Sequence, residues 1–250
     1  MTARAWEKFM ATRMTIPPRA LCGCITDAPP GKLSAILENA AVDLLEWRLD
    51  AAIHFHSLEA ALQGIPLLSR SNRLPVVATH RPVSQGGHFS GPEKERMDLL
   101  QKAADAGAEW VDLEEGTPEA MVRTFQRKGT QVLLSSHDFS GTPPGPSLRD
   151  LAKKMARKNP DAVKIVTLAG NSEDCLRVLE LIPFGQRELG LDVIAFAMGA
   201  SGRWSRPASL LLGSPWAYVQ LPGQPAAAPG QLEADEMRRL LAMLVGEAPS

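Results

Sequence analysis

Short apolar runs alternate with amphipathic or charged segments along this 250-residue chain, and no other feature restricts its possible folds as much. Runs of strand length lie near residues 20–26, 42–49, 75–81, 110–115, 131–137, 162–168, 192–198 and 216–221. Segments of helical character lie near residues 31–40, 56–63, 92–106, 117–128, 147–158, 172–182, 203–212 and 232–245. Strands that alternate with helices at this spacing form a parallel sheet. Eight such units predict an α/β fold, a (β/α)8 TIM barrel, and a doubly wound open sheet is the competing architecture.

The barrel is expected to form a single domain over residues 19–250, because no linker or internal repeat divides the chain there. Residues 1–18 lack a continuous apolar stretch, so they do not have the pattern of a secretory signal. We expect them to form a flexible N-terminal extension, within which Met14 is an alternative start of the protein.

Charge and composition argue against several classes of function. The formal net charge is −1, so no broad basic field favours nucleic acid or an anionic membrane surface. The sequence also lacks an apolar run long enough to cross a bilayer. Three cysteines are an odd, sparse set that suggests a reducing compartment, and we expect a cytoplasmic protein. Cys22 and Cys24 share a face of the first strand, where small core residues are the favoured interpretation over a metal or redox pair.

The second strand shows how its two faces differ. One face of the stretch VDLLEWRLD carries Leu45, Trp47 and Leu49. The other face carries Val42, Leu44, Glu46, Arg48 and Asp50. The first face suits packing under helices, whereas the second is apolar at its start and charged at its carboxyl end. A barrel interior is packed below and carries its chemistry at the carboxyl ends of the strands, so the second face is predicted to point inward.

Other strands repeat this pattern and bring polar residues toward one place. Their shared faces carry Val77, Thr79 and Arg81, then Asp112 and Glu114, then Leu133, Ser135 and His137, and finally Ala162, Lys164 and Val166. A single instance of this kind is more often structural than functional. Because four or five strands offer polar residues to the same end of the sheet, the set predicts a polar site at the barrel mouth.

Lys164 lies in the middle of an apolar strand, where an ammonium group is costly to bury. Burial and nearby cations favour the neutral amine, which can attack a carbonyl and form a Schiff base. The alternative, given about equal weight, is an interior ion pair with Glu46. His137 can take and return protons near neutral pH, so the two residues together suit iminium chemistry. Arginines near the same mouth predict a small, carboxylated substrate.

The chain resembles type I 3-dehydroquinate dehydratase in a set of short motifs that follow the order of that family. They are EWRLD (46–50), ATHRP (78–82), QGG (85–87), SSHDF (135–139), VKI (163–165), MGASGRWSR (198–206) and APGQ (228–231). The resemblance covers residues from about 19 to 245. It implies a catalytic (β/α)8 barrel, often a homodimer, that needs no metal or cofactor. It also implies the dehydration of 3-dehydroquinate to 3-dehydroshikimate, in the shikimate pathway of aromatic biosynthesis or in quinate breakdown.

Roles follow from this resemblance position by position. Lys164 matches the Schiff-base lysine and His137 matches the general acid and base. The residues that match those holding the substrate are Glu46, Arg48 and Arg81 for the ring hydroxyls and Arg206 and Gln231 for the carboxylate. The loop around Gln231 is expected to close over the bound ring.

Two positions depart from the family pattern. Gln85 stands where the family usually has a glutamate paired with the catalytic histidine, and an amide stabilises imidazolium less well than a carboxylate. Ala227 stands where the family usually has a serine that helps to hold the substrate carboxylate. The alternatives that follow are a slow enzyme, a diverged homologue that uses a related carboxylated ketone, or a relative that binds its ligand without turnover.

Two further interpretations come from other motifs. The stretch MGASG (198–202) follows the seventh strand, where barrels often bind phosphate, and would suit a Schiff-base aldolase acting on a sugar phosphate. A tight glycine turn that lets Arg206 reach inward is the favoured interpretation. The stretch IHFH (53–56) has a His-x-His spacing that can chelate zinc, but it lies outside the predicted mouth. Solvated loop histidines are favoured there.

Overall fold

The computed structural model describes residues 16–38, 40–72 and 74–246. Most of the predicted flexible extension, residues 1–15, lies outside the described residues. Within the remainder of that segment, Ile16 packs against the apolar interior of the barrel.

Eight parallel strands form the sheet. They are β1 (Ala20–Ile25), β2 (Leu44–Arg48), β3 (Val76–Thr79), β4 (Trp110–Glu114), β5 (Gln131–Asp138), β6 (Ala162–Leu168), β7 (Asp192–Met198) and β8 (Trp216–Gln220). Their order is β7-β6-β5-β4-β3-β2-β1-β8, so consecutive strands are neighbours and β1 joins β2 to β8. This order describes a nearly closed barrel. The predicted (β/α)8 barrel is confirmed, and the doubly wound alternative is wrong because the strand order does not reverse in the middle of the sheet.

Helices follow the strands around the outside. In the described ranges they are α1 (Leu33–Leu37), α2 (Leu49–Phe55), α3 (Leu58–Asn72), α4 (Glu93–Asp105), α5 (Glu119–Arg127), α6 (Gly145–Ala156), α7 (Ser172–Leu179), α8 (Leu181–Phe184), α9 (Ser205–Leu211) and α10 (Ala234–Val245). Shorter turns of helix lie at Pro30–Lys32, Val83–Gln85 and Gly185–Leu189. None of the helices in this part of the chain is both long and apolar enough to cross a membrane.

The end of the second strand differs from the prediction. β2 ends at Arg48, and α2 begins at Leu49, so Asp50 is not part of the strand face. The Asp50 carboxylate lies in the first turn of α2, where the helix dipole favours a negative charge. It accepts two hydrogen bonds from the Arg48 guanidinium and one each from the backbone amides of Arg81 and His88. Four donors therefore hold Asp50 at the start of α2, two from the neighbouring Arg48 side chain and two from backbone amides that follow β3.

Buried apolar side chains form two separate layers. The outer layer packs the sheet against the helices and includes Leu45, Trp47 and Leu49. The inner layer fills the barrel and includes Leu44 and Val77. Both assignments agree with the alternation in the sequence, so the predicted inward and outward faces are confirmed for β2 and β3. The prediction was wrong for Val42, which precedes β2 and belongs to the outer layer.

The bottom of the barrel is closed by large aromatic residues. The rings of Trp110 and Trp216 meet edge to face, with centroids 5.2 Å apart. Both are buried. Because side chains this large fill the lower interior, the barrel has room for a site inside it nearer to the carboxyl ends of the strands.

The glycine-rich stretch after β7 forms a tight turn that returns the chain to α9. Gly199 has φ +84°, and the amide of Gly202 donates to the carbonyl of Gly199 at 3.1 Å. A Cβ at Gly202 would lie 2.4 Å from the Met198 carbonyl oxygen and 2.5 Å from that of Ala197. These are backbone atoms of β7 and its end, so they cannot move aside easily.

Replacing Gly202 with alanine should therefore destabilise the fold by roughly 1–3 kcal/mol, the usual cost of overpacking a tight site. Gly116→Ala is the matched control, because nothing lies within 4 Å of a Cβ built there. Urea unfolding of both variants measures the free energy of unfolding. Equal unfolding midpoints for Gly202→Ala and the wild type would contradict the steric account.

Candidate active site

One cavity at the carboxyl ends of the strands collects every site residue that the sequence predicted. Those on its wall are Lys164, His137, Glu46, Arg48, Arg81, Arg206, Gln231, Gln85 and Ala227. They come from three strands (β2, β5 and β6), from the segment after β3, from α9 and from the loop between β8 and α10. The parallel register brings them together, because residues far apart in the chain share one end of the barrel.

Lys164 extends from β6 into the interior and is only 3% exposed. Its Nζ donates to Asp112 Oδ2 at 2.6 Å and lies 3.4 Å from the hydroxyl of Tyr218. The sequence suggested Glu46 as the partner if the lysine were paired, and that choice was wrong. Asp112 is closer because it lies on β4 at the same depth in the barrel, whereas the Glu46 carboxylate accepts from the Thr79 hydroxyl at 2.8 Å.

Asp112 is the centre of a buried polar cluster. Its Oδ2 also accepts from the Arg81 guanidinium at 2.5 Å, and its Oδ1 accepts from the Ser135 hydroxyl at 2.5 Å. Burial alone would raise the pKa of Asp112, but Arg81 and Lys164 outweigh it and hold the pKa well below its usual range. The carboxylate therefore stays ionised and lies beside the lysine as its counter-charge.

The arginines of the site are mostly neutralised by carboxylates. Arg81 also donates to Glu114 at 2.6 Å, and Arg48 pairs with Asp50 at 2.7 Å. The sequence-based expectation that cations around Lys164 would favour its neutral amine did not include these acidic neighbours, and it stays a prediction. Neighbouring acidic residues offset these guanidinium charges.

His137 lies at the end of β5, half-buried at the cavity wall. Burial, together with Arg81 and Lys164, holds the pKa of His137 well below its ordinary value of 6.5. The imidazole is therefore neutral at neutral pH and can accept a proton.

Gln85 contacts this histidine, as expected for the position. Its Oε1 accepts from the backbone amide of His137 at 2.8 Å and lies 3.3 Å from Nδ1. When Nδ1 carries the proton and donates to this oxygen, the lone pair of the ring is on Nε2. The turn that delivers Gln85 depends on Gly87, where a Cβ would lie 2.0 Å from the Arg81 carbonyl oxygen.

Arg206 differs from the other arginines of the site. It is 1% exposed, and no carboxylate of the described chain lies within ion-pair distance of its guanidinium. Its contacts are the Pro229 carbonyl at 3.2 Å and the face of Phe196 at 4.5 Å, and its Nε is buried without a partner. Burial lowers the pKa of Arg206 to about 10. A buried cation without a counter-charge is a binding site for an anionic group.

The loop after β8 covers this guanidinium and is tied down at several points. Gln231 Oε1 accepts from the backbone amide of Ala227 at 2.6 Å, and Gln231 Nε2 lies 3.3 Å from Cys24 Sγ. Burial raises the pKa of Cys24, so this thiol stays protonated. The side chain that the resemblance assigns to a substrate carboxylate is, in this structure, bonded within its own loop.

Sequence analysis missed several residues of the cavity wall, Tyr218 and Phe196 among them. Both occupy inward positions of β8 and β7, so strict alternation along WAYVQ and DVIAFAM could have placed them. Asp112 was placed on an inward face, but its role as the partner of Lys164 was not predicted. Distances across the barrel decide such pairings, and the sequence does not contain them.

Of the motifs behind the alternative functions, the IHFH stretch lies apart from this wall, whereas Met198 of the MGASG stretch is on it. His54 stacks on His88 with centroids 4.4 Å apart, and His56 pairs with Asp27 at 3.1 Å, both outside the barrel. In the turn after β7, the amides of Gly202 and Ser205 donate to carbonyls of the same turn, which leaves fewer donors for a phosphate.

Comparison with known proteins agrees with this geometry. A family model described as type I 3-dehydroquinase matches residues 21–247. A 3-dehydroquinate dehydratase of Syntrophobacter fumaroxidans is 42% identical over 91% of this chain and 97% of its own length. One of Thermococcus gammatolerans is 38% identical over 85% of this chain and 92% of its own length. The crystal structure of 3-dehydroquinate dehydratase from Geobacillus kaustophilus superposes with a TM-score of 0.83 at 26% identity, covering 92% of this chain and 93% of that one.

Gln85→Glu should raise the pKa of His137 by about 1 or more, because a carboxylate beside the ring favours imidazolium. In the wild type the amide gives no such support, so the imidazole stays neutral as the pH falls below 6.5. NMR titration of the imidazole, assigned with a His137→Asn variant, measures both values. Gln63→Glu makes the same chemical change on an exposed helix face and should leave His137 unmoved. If His137 titrates identically in Gln85→Glu and in the wild type, the 3.3 Å contact between residue 85 and Nδ1 does not control the protonation of the ring.

Proposed function

Because this chain belongs to the type I 3-dehydroquinase family, we propose that it dehydrates 3-dehydroquinate to 3-dehydroshikimate through a Schiff base on Lys164, with His137 as the general acid and base. The observation that carries the proposal is that a buried lysine and a neutral histidine line the same cavity as an arginine without a counter-charge. Binding alone does not require a lysine at the centre of a barrel.

The groups that bind the substrate are those whose hydrogen-bonding capacity is not used up within the protein. The carboxylate of the substrate pairs with Arg206, whose buried Nε has no partner. Gln231 adds an amide donor when its contact with Cys24 is exchanged for the ligand. Glu46 keeps one oxygen beyond its bond to Thr79, and Arg48 keeps N–H groups beyond its bonds to Asp50, so both can bind ring hydroxyls.

Imine formation begins when His137 takes a proton from the Lys164 ammonium. The neutral amine attacks the ketone carbon, and proton transfer gives a carbinolamine. His137 then returns a proton to the hydroxyl of that carbon, which leaves as water, and the C=N bond forms as an iminium ion. The net change is an ammonium and a ketone giving an iminium and one water.

Elimination uses the same histidine. The iminium acidifies the adjacent C2, and His137 removes its proton while the electrons move toward the iminium nitrogen. His137 then protonates the hydroxyl at C1, which departs as water, and hydrolysis of the imine frees the product and Lys164. The low pKa of His137 supports its first role as a base, because the free imidazole is not protonated beforehand.

Trapping the imine tests the proposal directly. Sodium borohydride added with 3-dehydroquinate should reduce the intermediate and attach the ligand covalently to Lys164, as read by intact mass and peptide mapping. Lys164→Ala should give no adduct and turn over at less than about one ten-thousandth of the wild-type rate, since losing a covalent nucleophile costs at least this much. Lys153→Ala, at an exposed position on α6, is the matched control and should behave as the wild type. Turnover without an adduct in the wild type would exclude the imine route. A wild type that shows no turnover and no adduct would exclude the dehydratase activity.

The departure at Ala227 has a separate test. The residue lines the cavity next to Gln231, where the resemblance implies a serine that holds the substrate carboxylate. Ala227→Ser should lower KM by roughly tenfold to a hundredfold, the worth of one hydrogen bond to a charged group. Ala226→Ser, on the exposed side of the same loop, is the control. Unchanged KM in Ala227→Ser would mean that the loop grips the carboxylate without that hydroxyl.

A further inference from the structure

Two side chains hold the Nζ of Lys164 from opposite sides of the barrel. Asp112 Oδ2 lies 2.6 Å away and belongs to β4, across β5 from the lysine. The hydroxyl of Tyr218 lies 3.4 Å away and belongs to β8, on the other side across β7. The ammonium also lies 4.5 Å from the centre of the tyrosine ring. The lysine is therefore restrained at its tip as well as along its stem.

Both anchors are themselves fixed. Asp112 is fully buried and receives Arg81 and Ser135 in addition to the lysine. Tyr218 is 5% exposed and packs near Phe196, with ring centroids 6.5 Å apart. Neither side chain can follow the lysine if it swings, so their positions determine the direction of its N–H bonds.

An ammonium group has three N–H bonds, and two of them are directed at these anchors. Among the described residues, the hydrogen bonds of the Lys164 Nζ are those to these two anchors, so its third N–H bond faces the cavity that Lys164 lines. The proton on the cavity side is the one within reach of a base there. When it leaves, the other two N–H bonds stay on the carboxylate and the phenol, and the new lone pair points into the cavity.

We propose that Asp112 and Tyr218 are positioning residues that aim the lone pair of Lys164 at the substrate ketone. This inference rests on the proposed Schiff-base function and adds two residues to it. The same pair also favours the product of the step. After the C–N bond forms and water leaves, the iminium nitrogen keeps one proton and a positive charge, beside the Asp112 carboxylate and over the Tyr218 ring.

Tyr218→Phe and Tyr218→Leu test the phenol in two stages. Phenylalanine keeps the ring face and loses only the hydroxyl, whereas leucine loses both. The rate of adduct formation in a quenched borohydride experiment should fall about tenfold in Tyr218→Phe and further, by about threefold or more, in Tyr218→Leu. KM should change less than kcat, because the hydroxyl acts on the lysine.

Trp110→Phe serves as the control for repacking, because Trp110 is another buried aromatic residue of the interior and lies in the lower layer. Thermal unfolding checks that all variants are folded at the assay temperature. Adduct formation as fast in Tyr218→Phe as in the wild type would overturn the role of the phenol, and so would an equal slowing in Trp110→Phe. In contrast, a wild type that forms no adduct overturns the Schiff-base proposal itself, so the two failures are distinguishable.

Asp112→Asn tests the other anchor. It leaves Arg81 and Lys164 without their shared counter-charge, so it is read together with its thermal unfolding curve. A folded variant that traps substrate at the wild-type rate contradicts the role of the carboxylate. If Asp112→Asn does not fold, Asp112→Glu is tested in its place. The glutamate keeps the counter-charge and should restore the fold, but its longer side chain should misdirect the amine and slow adduct formation.

Discussion

The carboxylate of Asp112, shared between Arg81 and Lys164 inside the barrel, is the interaction on which the site depends. A charge in this interior is costly unless it is paired and hydrogen-bonded. Here one oxygen receives both cations and the other receives Ser135. This arrangement gives a lysine that is only 3% exposed a carboxylate partner inside the barrel. It also links three strands around the interior, so the site and the fold are held by the same contacts.

Charge pairing also distinguishes the arginines of the cavity from one another. Arg48 and Arg81 are engaged by acidic neighbours, whereas Arg206 faces the cavity with a carbonyl and an aromatic ring as its partners. The electrostatic preference of the cavity for an anion is concentrated at that one guanidinium.

Much of this site could be predicted from the sequence, because alternate residues of a barrel strand point into the barrel and out of it. Glu46, Arg48, His137 and Lys164 all fall on inward faces near the carboxyl ends of their strands, and all line the cavity. Asp50 shows the limit of that rule. Alternation alone continues the strand through it, but the structure has it in a helix, where it accepts from the arginine side chain and from two amides 31 and 38 residues further along the chain.

The sequence by itself determined the number of strands, the face that each presents to the interior, and the residue types that meet at the mouth. These features depend on neighbours along the chain and on a period of two. Only the tertiary structure decided that Asp112 rather than Glu46 receives the lysine, that Tyr218 restrains it from the other side, and that Arg206 lacks a counter-charge. Such pairings depend on distances of a few ångströms between strands that are far apart in sequence. These distances are set when the barrel closes and the strand register becomes fixed.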